Sequence, residues 1–387
     1  MSTNETGLTG KTIKTVLLTG GRAPVTLDLA RYFSAAGYHI YVADSFPQSL
    51  CKASNCIKGF FTITSPVENY DRFLADLKGI ILKQKINLLI PTCEEVLYIA
   101  KGKEELSNLC HVFCSELPFL LSLHNKYTFI KSASDKGLQV PTTYLVKNKE
   151  ELTQALQLVG AAVMKPVYSR FASKVIYSDS QHVKEVPVSS KVPYVVQERI
   201  TGRFLCSYSV IHQGSIKAHV VYDANYTAGN GASILFKSVD HEGIRNWVTN
   251  YFEDSNAEGQ FSFDFIEKED GQIYPIECNP RATSGVHLFN GKSLPSAIVE
   301  AKEENPDSQK REMIGLAMLI YGWQKKNKRQ WLKDFFHSKD VVWSKKDSMP
   351  FLYQFRSYFS ILRLSRKLNV TPLEASTHDI EWNGEDE

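Results

Sequence analysis

Asp264, Glu277 and Asn279 are the residues of this chain whose types and spacing could do chemistry together. They lie within 261–281, where two apolar runs flank Asp270-Gly271, a pair favoured in two-residue hairpin turns. A hairpin closed there sets Asp264 directly opposite Glu277. Alternation of side chains along a strand then gives Asn279 the same face as Glu277. Opposed residues have Cβ atoms ~5 Å apart, and two unit charges at that distance repel by roughly 3 kcal/mol at an effective dielectric of about 20. Phe261, Phe263, Phe265, Ile273 and Ile276 predict that this strand pair packs on a core. A divalent cation would relieve the repulsion: two carboxylates and an amide oxygen are hard donors suited to magnesium, with phosphate completing the shell. Arg281 adds a fixed positive charge where an anion could lie. The competing reading is a hairpin with solvated acids on its outer face, and spacing alone leaves both open.

The elements that position this hairpin begin with a strand at 15–19, the turn Gly20-Gly21, an amphipathic helix from Leu27 to Ala36 that stops at Gly37, and a strand ending at Asp44. Strand, turn, helix, strand predicts a parallel sheet. A further buried strand at 86–90 leads to Glu94 and Glu95, and the first α/β domain is placed at 11–115. Its turn, Thr19 to Pro24, lacks the third glycine of a dinucleotide fingerprint, so a structural βα turn is expected although Asp44 stands where a ribose-binding acid would. The Gly20–Arg22 turn, Glu94 and Glu95 are candidates for substrate contact; a helix N-terminal acid pair is the alternative for the glutamates. Residues 124–140 read as one helix ended by Val140-Pro141. Short strands follow at 162–165, 192–197, 205–211, 217–222, 261–267 and 272–278, a change to α+β structure. From 301 to 387 the chain reads as helical and basic. Lys325, Lys326, Lys328, Arg329 and Lys333 cluster among Trp323, Trp331, Phe335 and Phe336. A helical subdomain with solvated lysines is the expectation there, and an anionic partner or membrane surface the alternative.

Composition narrows the class. The chain has 387 residues, 43% hydrophobic and 22% charged, with 45 Lys plus Arg against 42 Asp plus Glu. That excludes a disordered chain, and the small net charge of +3 gives no footprint for nucleic acid. Seven cysteines without a Cys-x-x-Cys pair predict reduced thiols in the cytoplasm. Cys110-His111-x-x-Cys114 is at most half of a metal site. No secretory leader and no membrane span are expected.

Ile276-Glu277-Cys278-Asn279-Pro280-Arg281, preceded by Asp264, resembles the metal-binding end of the ATP-grasp superfamily, most closely its carbamoyl-phosphate-synthase-like branch. Asn125-Lys126-Tyr127 is similar to the place of that family's first phosphate-contacting basic residue, and Met164-Lys165-Pro166 to that of the second. Val195 to Gly202 resembles the hinge that holds adenine, with Gln197, Glu198 and Ile200 in the contacting positions. The resemblance runs over roughly 12–290 and implies an α/β domain at 11–115. An ATP-grasp unit would follow at 116–300, its nucleotide-binding part at about 125–200 and its metal-binding part at about 201–300. Two departures stand out. Val167 to Lys174 has no glycine where the family carries a flexible glycine-rich loop, and Arg203-Phe204-Leu205-Cys206 offers no ribose-binding glutamate.

The resemblance implies an ATP-dependent carboxylate–amine ligase. ATP would phosphorylate a small, amino-acid-like carboxylate, and an amine would displace phosphate from the acylphosphate. Asp264, Glu277 and Asn279 would hold Mg2+, with Mn2+ as an alternative. Lys126 and Lys165 would hold the phosphate tail, and Arg281, with Lys165, would serve catalysis. A small-molecule kinase and an ATP-binding regulatory module are the alternatives. Small-molecule carboxylate and amine substrates are the expected partners, without nucleic acid, and a homodimer is compatible with the reading.

Overall fold

The computed structural model describes residues 14–168, 175–228, 231–324 and 327–384. Strands β1 (Thr15–Thr19), β2 (His39–Asp44), β3 (Gly59–Thr62), β4 (Leu88–Ile90) and β5 (His111–Val112) form a parallel sheet in the order β3-β2-β1-β4-β5. It is wound with α1 (Pro24–Ala35), α2 (Tyr70–Gln84), α3 (Glu95–Lys101) and α4 (Lys103–Ser107). Both faces are covered, which is why β1 is apolar without alternation: Leu17 packs with Phe73 and Leu77 of α2, and Val16 and Leu18 with Leu27 and Phe33 of α1. The turn after β1 is structural, as expected. Gly20 has φ +69°, and a Cβ on Gly21 would meet Val42 Cγ1 at 2.5 Å. Asp44 is not free for a ribose, because its oxygens accept from the backbone N–H and guanidinium of Arg22 at 2.5–3.0 Å.

Residues 124–140 are not one helix. α5 (Leu117–His124) breaks at Asn125, whose side chain accepts from the N–H groups of Tyr127 and Thr128 to cap α6 (Lys126–Asp135). α6 ends well before Pro141 because Gly137, at φ +73°, turns the chain away. β6 (Thr143–Val146), α7 (Lys149–Val159), β7 (Ala162–Pro166), β8 (Ile176–Tyr177) and β9 (Tyr194–Glu198) then form an antiparallel sheet in the order β6-β9-β7-β8 with one covering helix.

The largest sheet contains β10 (Arg203–His212), β11 (Ser215–Ala228), β12 (Ala232–Val239), β13 (Gly259–Glu267) and β14 (Ile273–Asn279). α8 (Glu242–Phe252) and α9 (Ser293–Val299) pack beside it. Residues 301–387 are not a purely helical extension. They hold α10 (Gly315–Ile320), α11 (Lys328–Phe336), α12 (Met349–Leu368) and α13 (Pro372–Ala375), but also β15 (Arg311–Met313) and β16 (Lys339–Asp340). These two strands complete the sheet order β14-β13-β10-β11-β12-β15-β16, with Leu235 paired to Met313. The open edge of β12 supplies the hydrogen bonds, which the basic composition of the segment did not reveal. Of the basic cluster, Lys325 and Lys326 lie outside the described residues. No helix among the described residues is long and apolar enough to cross a membrane.

One aromatic cluster fixes the face that β13 turns away from its core. Phe261, Phe263 and Phe265 are fully buried against Trp247, Tyr251 and Phe252 of α8, with Phe129 of α6 joining at 5.7 Å from Phe263. Each such side chain contributes roughly 1.5–3 kcal/mol by burial. With three phenylalanines pointing inward, alternation sends Ser262 and Asp264 to the opposite face.

The first sheet is clasped to the largest one at Glu258. Its carboxylate lies 3.4 Å from His111 Nε2 and 3.5 Å from His212 Nδ1, and its backbone N–H and C=O both bond the Ser115 hydroxyl. Burial alone would raise this carboxyl, but the two imidazoles hold it down at about 2. The folded-state value lies below the ordinary one, so the contribution to stability is present above about pH 4.5 and is lost as the pH falls toward 2. We expect Glu258→Gln to lower the melting temperature by about 2–4 °C at pH 7. That difference should shrink below pH 4, and a gap independent of pH would contradict the clasp.

Candidate active site

β13 and β14 pair so that Asp264 faces Glu277 and Ser262 faces Asn279, as the alternation predicts. The route to that register differs from the expected one. The turn is not a two-residue type I′ loop: Lys268 N–H donates to Gln272 C=O at 2.9 Å and Gly271 N–H to Lys268 C=O at 3.0 Å, with Gly271 at φ +81°. Three residues, 269–271, therefore form the loop, a type that places a left-handed residue last. The resulting register runs to Phe265–Pro275, and a bulge then restores the predicted pairing at Asp264–Glu277, leaving Ile276 as the extra residue. β14 is an edge strand, which accommodates Pro275. The bulge also frees the Ile276 carbonyl, which accepts from Lys165 Nζ at 3.1 Å.

Three cations surround the two acids. Lys126, the first residue of α6, is buried with Nζ 3.4 Å from Glu277 Oε2. Lys165, from the buried end of β7, reaches the bulge. Arg281 Nη2 donates to Asn279 Oδ1 at 3.1 Å, and its Nε lies 3.7 Å from Glu94 Oε1. Burial lowers the Lys165 ammonium to about 8 despite the pull of Glu277. Burial and the facing Glu277 charge push Asp264 upward. For Glu277 burial acts upward too, but Lys126 and Lys165 hold its carboxyl below the ordinary range. Perturbed groups opposed in this way are typical of functional clefts.

Lys126, Lys165, Asp264, Glu277, Asn279 and Arg281 all line one cleft of about 540 Å³, within the size range of small-molecule sites. Gln197, Glu198 and Ile200 are not among its described lining residues. They lie one strand from Lys165, on β9 and just beyond it, with Val163 paired to Gln197 and Lys165 to Val195. The Gln197 amide donates to Thr143 Oγ1 at 3.0 Å, and Ile200 is buried. Of the glycine-free segment, 169–174 lies outside the described residues. Glu95 is structural: its Oε1 accepts from the Thr19 hydroxyl at 2.6 Å and from the N–H groups of Thr92 and Cys93. Cys110 and Cys114 are buried thiols pushed up to about 12 by desolvation, and no group of three or more His, Cys, Asp or Glu gathers at a point among the described residues.

Sequence reasoning missed two walls of the cleft. Cys206, opposite Asp264 on β10, and Tyr222, opposite Cys206 on β11, form its floor. α10, α12 and α13 enclose it from the C-terminal side. It also missed how the ending at 377–384 is held. The Arg22 guanidinium bridges Asp44 and Asp379, donating to the latter at 2.5 and 2.8 Å. Trp382 packs on Tyr98 with ring centroids 4.9 Å apart, and Gly384 lies against the ring of Tyr168. Tyr168 in turn stacks on His124 and accepts from the Asn125 amide, so the tail braces the start of α6. The signal available was Asp379 and Trp382 in an otherwise polar ending.

Residues 123–285 match the sequence model of the ATP-grasp domain. An uncharacterised protein of Methanocaldococcus jannaschii is 24% identical over 164 residues, covering 41% of this chain and 40% of that protein, so the chain matches well under half of that relative's length. Among solved structures, N5-carboxyaminoimidazole synthetase from Staphylococcus aureus complexed with ADP has a TM-score of 0.63 at 14% identity, over 79% of this chain and 84% of its own. An L-amino acid ligase from Bacillus licheniformis has a TM-score of 0.56 at 15% identity, over 74% and 73%. At these identities the two structures share the fold.

The tail contact is open to a direct test. Burial opposes the charge on Asp379, but Arg22 keeps its carboxyl below the ordinary range. Asp379→Asn should cost about 1–3 kcal/mol of stability and speed hydrogen exchange of the amides at 376–384. Unchanged exchange there would show that Trp382 alone docks the tail.

Proposed function

Taking the chain as the ATP-grasp superfamily member that its domain at residues 123–285 makes it, we propose that it joins a small carboxylate to an amine at the expense of ATP. The reading is carried by one observation: three cations from three separate elements converge on the facing pair Asp264 and Glu277 in a single cleft. Phosphoryl transfer asks a protein mainly for positioning and charge neutralisation, and this cluster is built for both. Lys126 and Lys165 would bind the phosphate tail. Strand β9 and the residues after it, including Gln197, Glu198 and Ile200, would border adenine, one strand away from Lys165. The ADP bound by the Staphylococcus aureus relative supports nucleotide use by this fold.

The donor set also fits a hard divalent ion. Asp264, Glu277 and Asn279 offer two carboxylates and an amide oxygen, too few for a closed protein cage and appropriate where phosphates complete the shell. Magnesium bound there, with manganese as a substitute, would supply charge neutralisation between the phosphates. Burial first and the facing Glu277 charge second push the Asp264 carboxyl upward, and such an ion would relieve both. Arg281 would release Asn279 and steady the charge on the substrate carboxylate as it accepts the γ-phosphoryl group. The carboxylate oxygen attacks phosphorus and ADP leaves. The amine then attacks the acyl carbon, phosphate leaves, and the amine gives up a proton.

The test is magnesium-dependent ADP release over a panel of carboxylates and amines, run beside Glu277→Gln. We expect at least a hundredfold loss of turnover in the variant, and phosphate release that requires the amine. Phosphorylated carboxylate accumulating with no amine requirement would identify a kinase instead. Equal activity in Glu277→Gln would remove the metal site.

A further inference from the structure

The cleft has two chemically distinct ends. The charged end holds Lys126, Lys165, Asp264, Glu277 and Arg281, and the only other charged cleft residue with an accessible contact among those described, Arg22, is already taken up by Asp44 and Asp379. His287 is engaged through one nitrogen: Nδ1 bonds Asp28 at 2.7 Å and the ring stacks on Phe236, while the buried Nε2 has no hydrogen-bond partner among the described residues. The opposite end is built by Ile314, Ala317 and Ile320 at α10 and by Ile361 of α12. Its polar groups carry no charge, and in the cleft lining the buried Thr377 hydroxyl has no hydrogen-bond partner among the described residues. Tyr321 and Tyr358 also line this end, and the Gln354 amide donates to Phe351 C=O at 2.8 Å within its own helix.

The sheet ties the two ends together. Asp264 pairs with Cys206 and Cys206 with Tyr222 across β13, β10 and β11. β12 follows, and the Ile314 N–H then donates to Ile234 C=O at 2.9 Å. At about 4.8 Å per strand the floor from Asp264 to Ile314 spans roughly 15–20 Å. α12 packs against the short 3-10 turn at Leu50–Ala53 of the first domain, which closes the cleft on that side. A ligand whose carboxylate lies at Arg281 would therefore direct its remaining atoms along an uncharged floor toward an apolar wall. An ionic group placed there would lose hydration and find no opposite charge, a cost that selects strongly against it.

We propose that the C-terminal elements α10 and α12 form the specificity pocket of the active site and that it takes a carboxylic acid with an extended apolar side chain. This rests on the ligase reading for the role of the carboxylate, but the pocket itself is tested by binding. Calorimetry on the full chain with Mg2+ and a non-hydrolysable ATP analogue would compare octanoate and 3-phenylpropionate with suberate and 8-aminooctanoate. The first two should bind at least tenfold more tightly. Ile361→Glu, a half-exposed helix position, and Ala317→Trp, which fills the pocket, should each weaken octanoate at least tenfold while the nucleotide analogue still binds as a sign of intact folding. Equal or tighter binding of suberate or 8-aminooctanoate, no binding by any of the four acids, or no effect of either variant would overturn the assignment. Octanoate that binds as expected but never stimulates ADP release from ATP, with any amine, would sink the ligase reading and leave the apolar pocket standing.

Discussion

Two half-buried carboxylates on neighbouring strands, Asp264 and Glu277, face each other. The structure answers this repulsion with Lys126, Lys165 and Arg281, drawn from α6, β7 and the segment after β14. Three positive charges against two negative ones leave a local excess suited to a polyanion. The acids also keep the cations from being spent on one another's neighbours: Lys126 points at Glu277, and Arg281 is held on Asn279. Such an arrangement is organised before any ligand arrives, so a phosphoryl transfer there would need little reorganisation. Burial of Lys165 and Asp264 is costly in the free protein. That cost would fall if phosphate and a divalent ion provided the missing opposite charges.

The backbone makes this clustering reproducible. A three-residue turn sets the hairpin one position off, and the bulge at Ile276 corrects it. The correction restores the facing acids and also presents a carbonyl to Lys165. Bulges beside active sites commonly re-aim side chains in this way. Opposite the cleft, Phe261, Phe263 and Phe265 fix the inward face through their contacts with α8 and α6. Slipping the strand by one residue would bury Asp264 among those rings, so the aromatic core enforces the register that the charge cluster requires.

This division explains what the sequence could disclose. The facing acids were legible because alternation and a turn dipeptide are local signals, and Lys165 was legible because it ends an apolar strand. The true turn length and the bulge were hidden, since two opposite one-residue shifts cancel and leave the same partners. The end of α6 was misplaced because Pro141 is a visible stop, whereas Gly137 acts through a positive φ that no periodicity reports. The β15–β12 pairing, the Asp379–Arg22 bridge and the wall made by α10 and α12 depend on contacts between residues far apart in the chain, 78 positions for Leu235 and Met313 and 357 for Arg22 and Asp379. Nothing local marks them.

Those distant contacts alter what the C-terminal region is for. A solvated helical appendage would leave the cleft open on that side, and its basic surface would be its main feature. Here β15 is laced into the sheet that carries the acids, α12 packs on the first domain, and the tail runs from Arg22 to Tyr168 beside α6. The segment therefore touches the turn at Arg22, the sheet floor and the helix that positions Lys126. A piece of chain that reaches all three can exclude water from the cleft and shape it without supplying a charged group. On the proposed reading the chemistry would stay with the hairpin and its cations, and selection among substrates would pass to the part of the chain with the least conspicuous sequence.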